Sequence, residues 1–258
     1  MSETATLHLR GIGVSYGEAV AVDGVDFDVP PGKITALLGP NGAGKSSTML
    51  AAYGAVRSTG KVLLGSEDLS ELTQRQRVRN GVVLVPQGRQ LFPTMTIEEN
   101  LRVVADLNGL GQDAVERGLG YFPVLDERRS NPAGVMSGGE QRMLGLARAM
   151  MMHPRVLLLD EAVDGLSVGT VRVLMDAIRS LADAGVAVAM AEPTAGPILG
   201  AVDRGAVLIR GKVRGTAESA DELEATYAEQ LGLLDAPLAA GEPVAAATTD
   251  PTHKGAQQ

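Results

Sequence analysis

The run GPNGAGKSS, residues 39–47, follows the apolar stretch Ile34–Leu38 and contains the spacing G-x-x-x-x-G-K-S. It predicts a strand, a glycine-rich turn and a helix that opens near Lys45. Gly39, Gly42 and Gly44 lack a Cβ, so the backbone can curl around an oxyanion and aim its N–H groups inward. Pro40, Asn41, Ala43 and Ser47 complete the cradle, and the helix start adds its positive dipole end. In such a loop Lys45 reaches β- and γ-phosphates, and the Ser46 hydroxyl ligates Mg²⁺.

The 258 residues are enough for one large α/β domain or two small ones. Aromatic residues make up 3% and there is no Trp, so the core must be aliphatic, as suits a buried parallel sheet. The absence of Cys excludes disulfides and Cys-ligated metal. MSETATLHLR lacks the apolar core of a secretion signal. No apolar run approaches the ~18 residues of a spanning helix. The expectation is a soluble intracellular chain that meets a membrane only through a partner. Of the net charge of -8, the segment from Gly215 onward carries eight acids against one base, Lys254. The remainder is near neutral, without the basic stripe of a nucleic-acid surface.

Short apolar runs (LHLRGIGV, VAVDGVDFDV, KITALL, KVLLG, VVLVP, VLLLD, VAVAM, AVLIRGKV) alternate with helical patterns, which predicts parallel strands with crossover helices. The first two alternate polar and apolar residues, as in an antiparallel pair with one wet face. Residues 96–107 open on a capping box, Thr96 to Glu99, and read as helix. Residues 221–234 place Leu223, Tyr227, Leu231 and Leu234 on one helical face. After Asp235 the periodicity stops, and residues 236–258 read as a disordered tail rich in Ala and Pro.

Two further motifs define the chemistry. VLLLDE, residues 156–161, reads as a central strand whose acids emerge at the carboxyl end, where open α/β sheets present ligands. Asp160 is placed to hold Mg²⁺ and Glu161 to orient an attacking water. In MSGGEQRML, Ser137 and Glu140 form a capping box, and Gly138 and Gly139 leave the helix start open to a phosphate. This motif, at this distance before Asp160, resembles the signature of ABC-type ATPases. The resemblance runs from about Leu7 to Leu234. VPQGRQLFPTMTIEENL, YFPVLDERR and AGVMSGGEQRMLGLARAMM are especially similar to ATP-binding subunits of branched-chain amino-acid, urea and short-chain amide importers.

The resemblance implies an α/β fold: a mainly parallel sheet, an N-terminal antiparallel β subdomain and a helical signature subdomain at about 90–150, within an ATPase domain of residues 1–235. It implies ATP and Mg²⁺ as ligands, with Ser46, Gln87 and Asp160 on the metal. It also implies that Tyr16, in VSYG, stacks on adenine, and that Gln87, in the Q-loop, touches metal or water and couples to a transport partner. Catalysis falls to Glu161, Lys45 and Gln87. The implied partners are a second ATPase subunit (copy or paralogue), two membrane permeases and, indirectly, an external solute-binding protein, with no nucleic acid. The implied place is the cytoplasmic face of the membrane.

The chain departs from the family pattern twice. Ala162, Val163 and Asp164 occupy the D-loop, where Pro and Ser are usual. Pro193 takes the switch position, where His or Gln would contact the γ-phosphate; Glu192 or Thr194 is the alternative there. His8, His153 and His253 lie elsewhere. Two rival readings are a soluble ABC protein acting on DNA or ribosomes, and a degenerate regulatory subunit with slow turnover. The first suits this chain poorly: about fifty residues separate Gln87 from Ser137, leaving no room for long coiled coils, and there is one nucleotide module.

Overall fold

A computed structural model describes residues 5–88 and 91–232. The predicted tail, residues 236–258, and Leu234 lie outside the described residues. In chain order the elements are β1 (Leu7–Tyr16), β2 (Ala19–Val29), β3 (Ile34–Leu38), α1 (Lys45–Tyr53), β4 (Thr59–Leu64), β5 (Glu67–Asp68), α2 (Gln74–Arg79) and β6 (Val82–Val85). Four helices follow: α3 (Ile97–Asn108), α4 (Gln112–Gly120), α5 (Pro123–Glu127) and, after a short 3-10 turn, α6 (Gly138–Met150). The chain continues through β7 (Val156–Asp160), α7 (Val168–Asp183), β8 (Ala187–Glu192), β9 (Arg204–Ile209), β10 (Lys212–Ala217) and α8 (Ala220–Gln230).

The strands form two sheets, β2-β1-β4-β5 and β10-β9-β3-β8-β7-β6. The first is antiparallel, including the expected β1–β2 pair. In the second, β6, β7, β8, β3 and β9 run parallel, and β10 adds one antiparallel edge. Every residue of β3, β7 and β8 is buried, as expected of strands covered on both faces. Alternate side chains serve two cores. Leu157, Leu159, Val188 and Met190 face the helices α3–α7. Val156, Leu158, Ala187 and Ala189 face α1 and the antiparallel sheet. Small alanines on β8 let these layers approach closely, and only one buried phenylalanine enters each, Phe122 on the helix side and Phe27 on the other.

Local signals set several boundaries. Thr96 caps α3 through the predicted capping box with Glu99. α8 is shorter than its apolar period suggested: it ends at Gln230, Leu231 is 37% exposed, and Gly232 turns left-handed with φ 68°. Only Leu223 of its face is fully buried, with Tyr227 packed partly against the core.

Candidate functional site

The register of the large sheet brings the site together. Leu38 pairs with Glu192, and Asp160 pairs with Ala191. The carboxyl ends of β3, β7 and β8 therefore finish in one row, with the glycine-rich loop leaving the first. Two glycines of that loop are required by close approach. A Cβ on Gly39 would collide with the Leu208 carbonyl, and Gly44 (φ 105°) would collide with that of Ala21. The backbone at Gly44 caps α1 without a side-chain hydrogen bond, so the helix start stays open.

Lys45 is 3% exposed and folds back along the loop. Its Nζ donates to the Gly39 carbonyl (2.8 Å) and the Pro40 carbonyl (3.2 Å) and stands 3.9 Å from Glu161 Oε1. Burial pulls its pKa down, against the pull of Glu161, Asp160 and Glu192. Ser46 Oγ donates to Asp160 Oδ1 at 3.0 Å. Burial pushes the Asp160 carboxyl up; the Ser46 hydrogen bond opposes this, and neighbouring Glu161 adds to it. The Gln87 amide donates to Glu161 Oε2. A buried ammonium held mostly by neutral carbonyls suits an anion at the loop mouth. A hydroxyl beside a carboxylate whose charge is disfavoured suits a divalent cation. The residues present therefore fit a nucleotide phosphate chain with Mg²⁺.

Tyr16 is 50% exposed, and its hydroxyl lies 3.4 Å from Ser47 Oγ, at the edge of the same loop. Asn41 is exposed at the loop tip, and Ala43 is buried beneath it. Ser137 caps α6 in a reciprocal box with Glu140 (2.8 and 3.3 Å), and Gly138 and Gly139 begin the helix. Among the described residues no hydrogen bond joins these three to the phosphate loop. The same helix does reach the site further along, where Arg142 lies close enough to Asp160 to favour its ionised form. Nothing in the spacing of the signature had singled out Arg142. Beside Gln87, a cleft of about 640 Å³ opens between Leu84, Pro86 and the faces of α3 and α6 at Val104, Gln141 and Arg148.

The two departures from pattern have different structural meanings. Ala162 and Val163 are buried in the helix-side core, while Asp164 is exposed. Pro193 offers its carbonyl to the Tyr227 hydroxyl at 2.6 Å. Thr194 is exposed, and Glu192 turns its carboxylate to the Val163 N–H at 3.3 Å. Burial raises the Glu192 pKa from an ordinary 4.5 to about 7, although hydrogen bonds from Val163 and Ala162 oppose it.

That shift predicts a pH-dependent stability. The folded chain holds this proton more tightly than the unfolded chain does. The stabilisation is full below about pH 4.5 and is lost as pH rises through about 7, amounting to about 3 kcal/mol. Glu192→Gln has no proton to lose. It should melt several degrees above wild type at pH 8 and alongside it at pH 4.5. Parallel melting curves across that range would refute this assignment.

The comparisons with known proteins agree with this geometry. The family model described as ABC transporter matches residues 22–164. The high-affinity branched-chain amino acid transport ATP-binding protein BraG of Pseudomonas aeruginosa is 36% identical over 201 residues, 77% of this chain and 86% of that protein. The lipopolysaccharide export system ATP-binding protein LptB of Acidithiobacillus ferridurans is 34% identical over 223 residues, 84% of this chain and 91% of that protein. In fold, the chain is similar to an ATP-binding cassette of an ABC transporter solved in its ADP conformation, with a TM-score of 0.80 at 23% identity, covering 90% of this chain and 98% of that one. With a phosphate loop, an acidic strand end and a signature on this scaffold, the chain belongs to the ABC transporter family, as its ATP-binding, ATP-hydrolysing component.

Proposed function

We propose that the chain is the ATPase subunit of an importer for branched-chain amino acids or related small amides such as urea. The likeness to a branched-chain amino acid transport protein across 77% of the chain carries this reading. The ATPase domain would span residues 1–235, with the helical subdomain at about 90–150 and the tail outside it. Among the described residues no helix is long and apolar enough to cross a membrane, which fits attachment to permeases at the cytoplasmic face. The cleft beside Gln87 is the natural seat for a permease segment. A second ATPase subunit, two permeases and an external solute-binding protein complete the assembly, without nucleic acid.

In this reading Gly39, Pro40, Asn41, Gly42, Ala43, Gly44, Lys45, Ser46 and Ser47 cradle the phosphates, and Tyr16 stacks on adenine. Lys45 offsets charge that develops on the terminal phosphate, and Glu161, steadied by Gln87, orients the attacking water. Ser46, Gln87 and Asp160 would hold Mg²⁺, which would supply positive charge against that of the phosphates. Ser137, Gly138 and Gly139 meet the γ-phosphate held by a second subunit. Their separation from this chain's own loop supports a site shared between two chains.

Uptake measurements test the transport reading. Cells lacking this gene should lose uptake of labelled leucine, isoleucine and valine, or of urea, and regain it from a supplied copy. Unchanged uptake of all four would defeat the importer reading. Retention of a cell product instead would favour export, the role of the lipopolysaccharide export system to which the LptB relative belongs.

Pro193 favours a second reading, a slowly hydrolysing regulatory subunit. Its side chain has neither donor nor acceptor. Pro193→His and Pro193→Gln should therefore raise turnover about tenfold or more, the scale of one positioned proton or charge contact. ATP affinity should change little. An ordinary wild-type rate that neither substitution raises would mean that Pro193 does not stand at the switch.

A further inference from the structure

Glu161 has a left-handed backbone, φ 50°, and is one of three non-glycine residues with positive φ among those described. A residue with a Cβ avoids this region, and it persists only where the surroundings over-determine it. Here the conformation aims the side chain at the loop, with Oε2 at the Gln87 amide and Oε1 3.9 Å from Lys45 Nζ. The groups that hold it come from the end of β8. The Ala191 carbonyl accepts the N–H of Glu161 at 2.9 Å. The next residue, Glu192, accepts the N–H of Val163 at 3.3 Å, and the N–H of Ala162 lies near enough to favour the same carboxylate. The N–H groups at 161 and 163 are thus taken by two consecutive residues of one strand, with that at 162 near the same carboxylate. Glu192, Ala162 and Val163 are 2%, 8% and 3% exposed, so water cannot readily replace the carboxylate. Pro193 is itself anchored, through its carbonyl, by Tyr227.

We propose that Glu192 is a positioning residue for ATP hydrolysis: its carboxylate clamps the N–H groups of Ala162 and Val163 and so keeps Glu161 in the backbone conformation that directs its carboxylate into the site. The proposal rests on the reading of Glu161 as the water-orienting group. It assigns Glu192 a task other than touching phosphate. It also explains why a buried carboxylate is placed at the end of β8, beside a proline that has no polar side-chain atom.

The test uses the full-length chain and three variants: Glu192→Ala, Glu192→Gln and, as reference, Glu161→Gln. Glu192→Ala should lower kcat about tenfold or more while KM for ATP and nucleotide affinity stay within about twofold. Amide hydrogen exchange at 161–164 should speed up in the same variant. Glu192→Gln keeps an acceptor oxygen and should recover most of the turnover. Adding Glu192→Ala to Glu161→Gln should cause no further loss. Wild-type kcat in Glu192→Ala, equal losses in both Glu192 variants, or affinity falling in step with kcat would each overturn the clamp. If Glu192→Ala does not fold, Glu192→Gln decides alone: near-normal turnover supports the clamp, and a tenfold loss overturns it. Full turnover in Glu161→Gln would remove the underlying assignment of Glu161, an outcome separable from failure of the clamp.

Discussion

Lys45→Ala should abolish measurable ATP hydrolysis, with a loss of about a thousandfold or more, and should weaken MgATP binding. The ammonium is 3% exposed and tethered by the Gly39 and Pro40 carbonyls at 2.8 and 3.2 Å, so its charge acts where water screens it poorly. Removing one preorganised electrostatic contact of this kind costs about 2.7–4 kcal/mol of transition-state stabilisation. Lost ground-state binding adds to that. The folded chain should be little affected, because burial already disfavours the charged form of Lys45. Steady-state turnover, nucleotide affinity and melting temperature, measured together, separate the two effects. Undiminished turnover would remove the central claim about this loop.

Arg77→Ala should produce the largest loss of stability among single substitutions away from the phosphate site. Arg77, on α2, is 3% exposed, and its guanidinium donates to backbone carbonyls. Nη1 donates to Ala51 (2.7 Å) and Ala52 (3.0 Å), Nη2 to Ser70 (2.8 Å) and Nε to Leu72 (3.2 Å). Ala51 and Ala52 belong to the last turn of α1, where the Ala51 carbonyl also accepts the Gly54 N–H at 3.1 Å. The guanidinium therefore closes the far end of the helix that starts at the phosphate loop. Truncation takes the guanidinium from the buried Ala52 carbonyl and from the part-buried Ser70 and Leu72 carbonyls, for about 3–5 kcal/mol, or roughly 10 °C in a domain of this size. Arg77→Lys should recover only a minor part, since one ammonium cannot span four carbonyls in this fork. A thermal melt shifted by less than about 2 °C would show that water replaces the guanidinium there.

The contrast between these residues shows where sequence reading succeeds. Lys45 lies inside a motif whose meaning is local: strand, glycine turn and helix follow from consecutive residues. Arg77 sits in an ordinary charged helix, QRQRVR, and its neighbours at 51 and 52 are distant in the chain. No spacing rule connects them. Likewise Arg142 comes near enough to act on Asp160 only because α6 packs against β6, the neighbour of β7 in the sheet.

The buried strands VLLLD and ITALL, the capping boxes at Thr96 and Ser137 and the glycine turn between β3 and α1 were all determined by the sequence alone. Each depends on hydrogen bonds or apolar periodicity within a few residues. The length of α8 was not, because its end is set by the left-handed turn at Gly232 rather than by its apolar period. Only the tertiary structure decided that Ala191 and Glu192 hold the N–H groups of Glu161 and Val163, and that Glu161 takes a left-handed backbone. Both follow from a parallel register that pairs Asp160 with Ala191 and Leu38 with Glu192. Register between strands more than thirty positions apart is a property of the packed sheet and leaves no trace in the local spacing of residues.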